Sequence, residues 1–422
     1  QGVVRSQAEG PMEGVVVSAQ RAQSTITVSV VSNREGQYQF PMSRLPAGRY
    51  EVTIRAVGYE LPAALSVQVS GERAQTADLA LQPVQDISGQ MTNAEWMASM
   101  PGSDREKRSL LTCVTCHTLE RVVKSKYSSQ EFLTVVLPRM QSYVNQSMPG
   151  APQMRKGARL MEEQGEDRVN IYREMGDFLA QINLHNRSTW SYPLKTFPHP
   201  TGESTKDNLP STQLNQVAPY NRHVDGKVWT QNSGFAGVHR FDLKTGQVET
   251  WAPFKNSKQQ HNIYDVISDS RNNVFFTDFR QQEIGRIDAV TGKITFYSFP
   301  TKLASPRRGT MDDQDRLWVG QYRGHKIGML DTKTGEMKEW LVPTPYSAPY
   351  DAIKDREDFV WTGSMTTDRI ARLNLKNDQF TEYLLPHSTN VRRVFVQDNA
   401  PEPIFWVGSN HGASIVKLEP LK

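Results

Sequence analysis

The chain changes its hydrophobic rhythm twice. Up to residue 84, apolar and polar positions alternate over short runs: Val15-Val16-Val17, Thr25–Val31, Tyr38–Phe40, Tyr50–Ala56 and Leu65–Val69. Asn33-Arg34-Glu35-Gly36 and Pro46-Ala47-Gly48 break these runs with turn residues. A period of two with frequent breaks predicts short antiparallel strands packed as a β-sandwich. Between residues 92 and 186 the period lengthens. Asn93–Met100 and Asp104–Leu111 read as helices, and Ser128-Ser129 followed by Glu131 is a helix start signal. Phe132, Val136 and Met140 then recur at every fourth position on one stripe. Gly165-Glu166-Asp167 opens a further helix through Leu184, with Ile171, Met175, Phe178, Leu179 and Ile182 on its apolar face.

From residue 191 a repeat takes over. Trp229, Phe275, Trp318, Trp361 and Trp406 hold one repeat position, at spacings of 46, 43, 43 and 45. Asp242, Asp288, Asp331 and Asn374 hold a second, and the three aspartates begin D-x-x-T-G turns. A strand pattern follows each turn. A period of about 43 residues carrying four short strands predicts β-propeller blades. Four blades are complete in the sequence and a fifth ends after two strands. Residues 191–198, "SYPLKTFP", read as the outer strand that completes it, which would hide both open edges. The predicted fold is therefore mainly β: a sandwich over 1–84, a small helical domain over 92–186, and a propeller over 191–422.

The two cysteines sharpen the reading of the helical domain. Cys113 and Cys116 are the only ones in the chain, and both lie in Cys113-Val114-Thr115-Cys116-His117. Two cysteines make no disulfide scaffold, and a zinc site lacks its remaining ligands. C-x-x-C-H is the attachment signature of c-type haem, with a role for each residue. The two thiols bond covalently to the haem, and His117 faces the iron. The distal ligand is sought among Met140, Met148, Met154, Met161 and His185. Met140 stands first, because its helical stripe would aim a thioether at the open haem face; Met148 and Met154, in a Pro-rich loop, are the alternatives. Methionine ligation would suit electron transfer better than oxygen binding.

Composition narrows the setting. The net charge of +4 over 422 residues gives no case for nucleic acid, and no apolar run is long enough to span a membrane. The chain starts at Gln1. Together with covalent haem attachment, this leads us to expect a periplasmic or secreted chain whose signal peptide has been removed.

Three resemblances follow from quoted stretches. "GQYQFPMSRLPAGRYEVTIRAVGYE" resembles the carboxypeptidase regulatory-like sandwich. "FLTVVLPRMQSY" resembles a helix of short monohaem cytochromes, which implies Met140 as the ligand. "NNVFFTDFRQQEIGRIDAVTGKITFYSFPT" and "DRLWVGQYRGHKIGMLDTKTGEMKEWLVPTPYSAPYDAI" resemble repeats of virginiamycin B (streptogramin) lyase propellers. The whole order resembles a family of multidomain bacterial proteins built from these parts. The lyase propellers have seven blades. Two further blades, about 90 residues at this period, would restore that number if a segment were missing near 202–218.

The candidate propeller site is the mouth before each inner strand, where Tyr264-Asp265, Arg307-Arg308, Tyr350-Asp351 and Arg392-Arg393 recur. Equivalent positions share a radius, so the four guanidinium groups are expected to converge and to hold an anion. The aspartates of the mouth are one possible source, and a ligand or partner is another. The resemblance implies a metal-binding Glu and a catalytic His in E-x-H; this chain has Pro349-Tyr350-Asp351 there and no E-x-H in any repeat. His223, His261, His325 and His411 lie near repeat starts, and His261 is placed to reach the mouth. The expected function is periplasmic electron transfer through haem c to or from a redox protein or dehydrogenase subunit, in a possible hetero-oligomer. The propeller and sandwich would serve as docking or substrate-binding modules. The alternatives are a haem oxidoreductase with its substrate at the propeller mouth, and a streptogramin-type lyase.

Overall fold

The computed structural model describes residues 1–70, 74–115, 117–141, 165–198, 205–208, 227–232, 237–242, 244–400, 403–409 and 414–420. Near the N-terminus, Thr27–Val31, Val16–Arg21, Gly48–Arg55 and Leu65–Val69 form one antiparallel sheet in that order. The opposing sheet is built on Gly2–Ser6, which pairs in parallel with Leu79–Pro83. Neither of these two strands was legible in the alternation. Val4, Val15, Val17, Val30, Val52 and Leu81 close one buried core, as the period of two requires.

The helical segment opens with three capping boxes. Thr92 with Glu95, Ser103 with Glu106 and Ser128 with Glu131 each satisfy backbone N–H groups at a helix start. The helices run over Asn93–Ser99, Asp104–Ser109, Glu120–Val123 and Glu166–Ile182, with a 3-10 stretch at Leu110–Thr115. After Glu131 the chain winds as a π turn over Phe132–Val136 before Leu137–Gln141. The Leu137 N–H reaches back to the Phe132 carbonyl, one residue further than in an α-helix. Pro138 has no N–H to continue the regular ladder. The wide turn resets the stripe, so Leu137 is buried and Val136 only half-buried. On the long helix Tyr172 replaces Ile171 in the core: Ile171 is 48% exposed, Tyr172 only 3%.

Five sheets follow, each meandering antiparallel like a propeller blade. The first has Lys227–Asn232, Gly237–Asp242 and Val248–Trp251. The next three have four strands each and begin at Ile263, Pro306 and Ile353. The last comprises Val391–Gln397, Ile404–Ser409 and Ser414–Pro420, completed by Thr205–Asn208. Within the D-x-x-T-G turns Asp242, Asp288 and Asp331 accept two backbone N–H groups each. Gly246, Gly292 and Gly335 supply the positive φ that closes each turn. The repeated aromatics bind blade to blade; Trp361 stacks on Phe405 of the next sheet at 4.7 Å.

A fourth strand does complete the last blade, but it comes from Thr205–Asn208 rather than 191–198. The earlier stretch has other partners. Lys195 N donates to Ser99 Oγ and Phe197 N to Glu95 Oε1, which fixes it along the first helix. Residues 199–204 and 209–226, which hold most of the stretch where a gap is expected, lie outside the described residues. Among the described residues no helix is long and apolar enough to cross a membrane.

Candidate functional site

The C-x-x-C-H segment begins within the 3-10 stretch, whose residues lie against the propeller. Tyr322 Oη donates to Leu111 O at 3.1 Å, and Asn390 Nδ2 donates to Val114 O at 3.1 Å. Ala94 N donates to Thr366 O at 3.0 Å, and the Lys107 ammonium lies 5.8 Å from the centre of the Tyr346 ring. Cys113, Val114, Leu119, Leu137, Phe178, Tyr322, Tyr350 and Met365 belong to one buried cluster. The helical segment thus covers the propeller mouth.

Within that cluster Cys113 is buried. His117 Nδ1 is 2.8 Å from the Thr118 carbonyl. A carbonyl can only accept, so this contact puts the ring proton on Nδ1 and leaves Nε2 as the unprotonated nitrogen of the neutral ring, the tautomer a metal-bound imidazole requires. Burial, which favours the neutral ring, pushes the His117 imidazole down against the opposing effect of the Thr118 carbonyl. Met140 is half-buried and packs against the cluster. Trp96 is fully buried there, and its indole N–H has no acceptor among the described residues. Thiol, imidazole and thioether are the donor types that a c-type haem takes. Cys116, Met148, Met154 and Met161 lie outside the described residues. His185 is turned away, with Nδ1 at 3.1 Å from Lys126 O and Nε2 at 3.0 Å from Asn186 Nδ2.

The mouth doublets owe their placement to a repeated irregularity. The inner-strand register slips by one residue between Ile263 and Val266, between Pro306 and Gly309, and between Val391 and Val394. Each slip is a β-bulge, which lets two consecutive residues leave the ordinary up-down alternation. The doublets then divide into two levels. In the deeper level Asp265 accepts from Arg308 Nη1 at 3.4 Å and from Gly309 N at 3.2 Å. Asp351 Oδ2 accepts from Val394 N at 3.0 Å, while Oδ1 has no partner among the described residues. Burial pushes the Asp265 carboxyl up against the opposing pull of Arg308 and Arg393. It takes Asp351 up to about 7.

In the level facing the helical segment, Arg307 is 6% exposed. Its guanidinium lies over Tyr350, Tyr322, Tyr264 and Phe279 at 4.2, 4.5, 4.8 and 5.0 Å. Nη1 contacts Met365 Sδ at 3.0 Å, and Nε has no partner among the described residues. Tyr264 Oη and Tyr350 Oη are 2.9 Å apart. Burial alone would raise the Tyr350 phenol, but Arg307 and Arg308 together hold it below its usual value. Arg392 Nε donates to Asn390 Oδ1 at 3.0 Å. The expected single ring of four arginines is therefore split. Arg308 and Arg393 face the aspartates, and Arg307 is caged by aromatic rings.

Tyr322, Phe279, Met365 and Asn390 complete this site and were not singled out from the sequence. Tyr322 and Phe279 follow second strands and Asn390 precedes an inner strand, so the repeat register could have flagged them. His261 turns to Ser257 and Asp278 rather than into the mouth. Burial, with a smaller push from Arg108, takes His325 down to about 4, and His325 Nδ1 accepts from Ala348 N. His223 and His411 lie outside the described residues.

Known proteins resemble separate parts of this chain. The virginiamycin B lyase family matches residues 252–420, and the carboxypeptidase regulatory-like domain matches residues 1–82. The C-terminal sheets are accordingly a lyase-like β-propeller and the N-terminal sheets a regulatory-like domain. Among solved structures, selenomethionine-substituted virginiamycin B lyase from Staphylococcus aureus is 21% identical, covers 56% of this chain and 72% of its own, and gives a TM-score of 0.42. A streptogramin B lyase structure is 22% identical over 56% of this chain and 71% of its own, with a TM-score of 0.41. A nidogen/laminin complex is 15% identical over 44% and 68%, with a TM-score of 0.34. A search of curated proteins gives no match.

Proposed function

We propose that this chain is an extracytoplasmic monohaem electron-transfer protein. Cys113 and Cys116 would carry haem c, with His117 and Met140 as iron ligands. Bound haem would supply a one-electron ferric/ferrous couple. The remaining work falls to the chain. The Thr118 carbonyl orients His117, the buried cluster keeps water away, and Tyr322 and Asn390 hold the attachment segment on the propeller. The observation that carries this reading is the C-x-x-C-H segment, whose Cys113 and Val114 lie in an apolar cluster against which Met140 packs. Its partner would be a periplasmic redox protein or dehydrogenase subunit.

The test is the absorption spectrum of the purified chain. We expect a covalently bound, low-spin, six-coordinate c-type haem. Met140→Ala should open the sixth position, and Met148→Ala should leave the spectrum unchanged. The reverse pattern would move the ligand to the loop, and a chain without covalent haem would end the proposal.

A second reading has one observation in its favour. Arg307, buried with no carboxylate partner among the described residues, suits an oxidoreductase whose substrate binds at the mouth next to the haem. Substrate-dependent haem reduction that Arg307→Met abolishes would establish it. The lyase reading fits less well, because the positions for its metal and base hold Pro349, Tyr350 and Asp351. We expect no eliminative opening of a cyclic depsipeptide, even with magnesium.

A further inference from the structure

Outside the mouth, the loop between Trp251 and Ile263 brings a nucleophile, a base and a buried carboxylate into line. Ser257 is exposed, and its N–H donates to Phe254 O at 3.0 Å. Ser257 Oγ is 2.7 Å from His261 Nε2. The hydroxyl also accepts from Gln259 N at 3.1 Å, which directs its own proton to the imidazole. His261 Nδ1 is 2.5 Å from Asp278 Oδ2. Asp278 has no exposed surface, and its other oxygen accepts from Asn262 N and Arg280 N, both at 3.0 Å. The imidazole stacks on Phe254 with centroids 3.8 Å apart and planes within 2°.

Each contact has a chemical consequence. A buried carboxylate with one oxygen fixed by backbone amides cannot rotate away from the ring. It holds the tautomer that carries a proton on Nδ1, which leaves the Nε2 lone pair free to take the serine proton. The stacked ring restricts the imidazole further. These are the roles by which a serine nucleophile, its base and its orienting acid are recognised on unrelated folds.

The repeat itself provides a control. The registers that place Asp278 opposite Ile263 place Gln321 opposite Pro306, Ser364 opposite Pro349 and Ser409 opposite Val391. Two residues before those partners stand His261, Ala304, Ser347 and Thr389. One blade in four thus carries a His and an acid together, although Asn262, Ser305 and Ala348 accept the same backbone bond from Phe279, Tyr322 and Met365 in three of these blades. The blade shape does not need the pair.

We propose that Ser257, His261 and Asp278 form an acyl-transfer site that hydrolyses carboxylic esters. Ser257 Oγ bonds to the ester carbonyl carbon as its proton passes to His261 Nε2. The carbon–alkoxy bond then breaks, and the imidazolium returns the proton to the leaving alcohol. Water attacks the acyl-serine, gives a proton to Nε2, and the acid departs as Oγ is reprotonated. Asp278 acts as a positioning residue.

The experiment treats the whole chain with a fluorophosphonate and measures intact and peptide masses, with 4-methylumbelliferyl acetate turnover alongside. We expect one adduct, on Ser257, formed as the P–F bond breaks and fluoride leaves. Ser257→Ala should lose both adduct and turnover. Asp278→Asn should lower kcat at least about a hundredfold at an unchanged KM, because the amide favours the wrong tautomer. An unlabelled wild-type chain, or an adduct that persists in Ser257→Ala, overturns the proposal. Neither outcome depends on the haem.

Discussion

A guanidinium as buried as Arg307 ordinarily has a carboxylate beside it. Here four aromatic rings surround it instead, and ring faces attract a cation without neutralising it. Burial of an unpaired charge costs stability, so an uncharged side chain of similar length should remove that cost. Arg307→Met is expected to leave the melting temperature equal or higher, whereas Arg307→Ala should lower it by opening a cavity. A clear loss of stability in Arg307→Met, read by thermal unfolding, would make the charge structural. Asp351 makes the converse case. Its folded pKa of about 7 lies above its ordinary value of 3.8, so folding favours the protonated form. The stability this gives is full below pH 3.8 and is lost as pH rises through 7. The loss is at most about 4 kcal/mol, at 1.36 kcal/mol per pKa unit. Denaturant titrations from pH 4 to 8 should show this decline in the parent and a flatter profile in Asp351→Asn. Parallel profiles would mean that Arg393 and Arg308 keep the carboxylate ionised throughout.

At the scale of elements, the bulge in each inner strand determines the mouth. The doublets were legible because they recur at one repeat position, but their division into two levels was not. A bulge alters which neighbour each residue meets without changing its spacing in the sequence. The same limit applies elsewhere. The π turn after Phe132 and the exchange of Ile171 for Tyr172 shift faces by one residue, and an ideal helical stripe cannot register that. The stretch 191–198 alternates like a strand, yet Ser99 and Glu95 occupy its N–H groups first. By contrast, the Ser128–Glu131 cap and the D-x-x-T-G turns were legible because all their partners lie within five residues. Gly309 tests the bulge directly. A Cβ there would lie 2.4 Å from the Trp318 carbonyl and 2.7 Å from Val319. Gly309→Ala should therefore destabilise the chain by about 1–3 kcal/mol, measured by thermal unfolding. A neutral effect would show that the strand can take up the methyl group without giving up its register.

For the whole molecule, the decisive feature is that three parts of one chain are fastened together by contacts that include well-buried ones. The sandwich is tied to the propeller by Arg55, which pairs with Asp368 at 2.5 Å and donates to Leu385 O at 2.6 Å. Asp368 is almost wholly buried, so Arg55→Ala would leave a stranded carboxylate at a cost of about 3–5 kcal/mol. Thermal unfolding should show that loss, and an unchanged melt would mean that the carboxylate finds water or another cation. The helical segment is fastened by Asn390, which has no exposed surface. Its amide nitrogen donates to Val114 O and Met365 O, one carbonyl on each side of the junction. Asn390→Ala leaves both carbonyls without this donor, at a cost of about 1–3 kcal/mol for each group stranded. Because the contact joins two parts that each have their own backbone ladders, the loss should appear as local opening rather than global unfolding. Hydrogen exchange should therefore speed up across Leu110–Val123 while Phe359–Gly363 and Arg369–Asn374 keep their protection. Tyr322→Phe, which removes only the Leu111 contact, should do the same more weakly. Exchange that rises equally in the propeller strands would show that the junction and the blades unfold as one unit. Exchange that rises nowhere would show that the apolar cluster alone holds the attachment segment over the mouth.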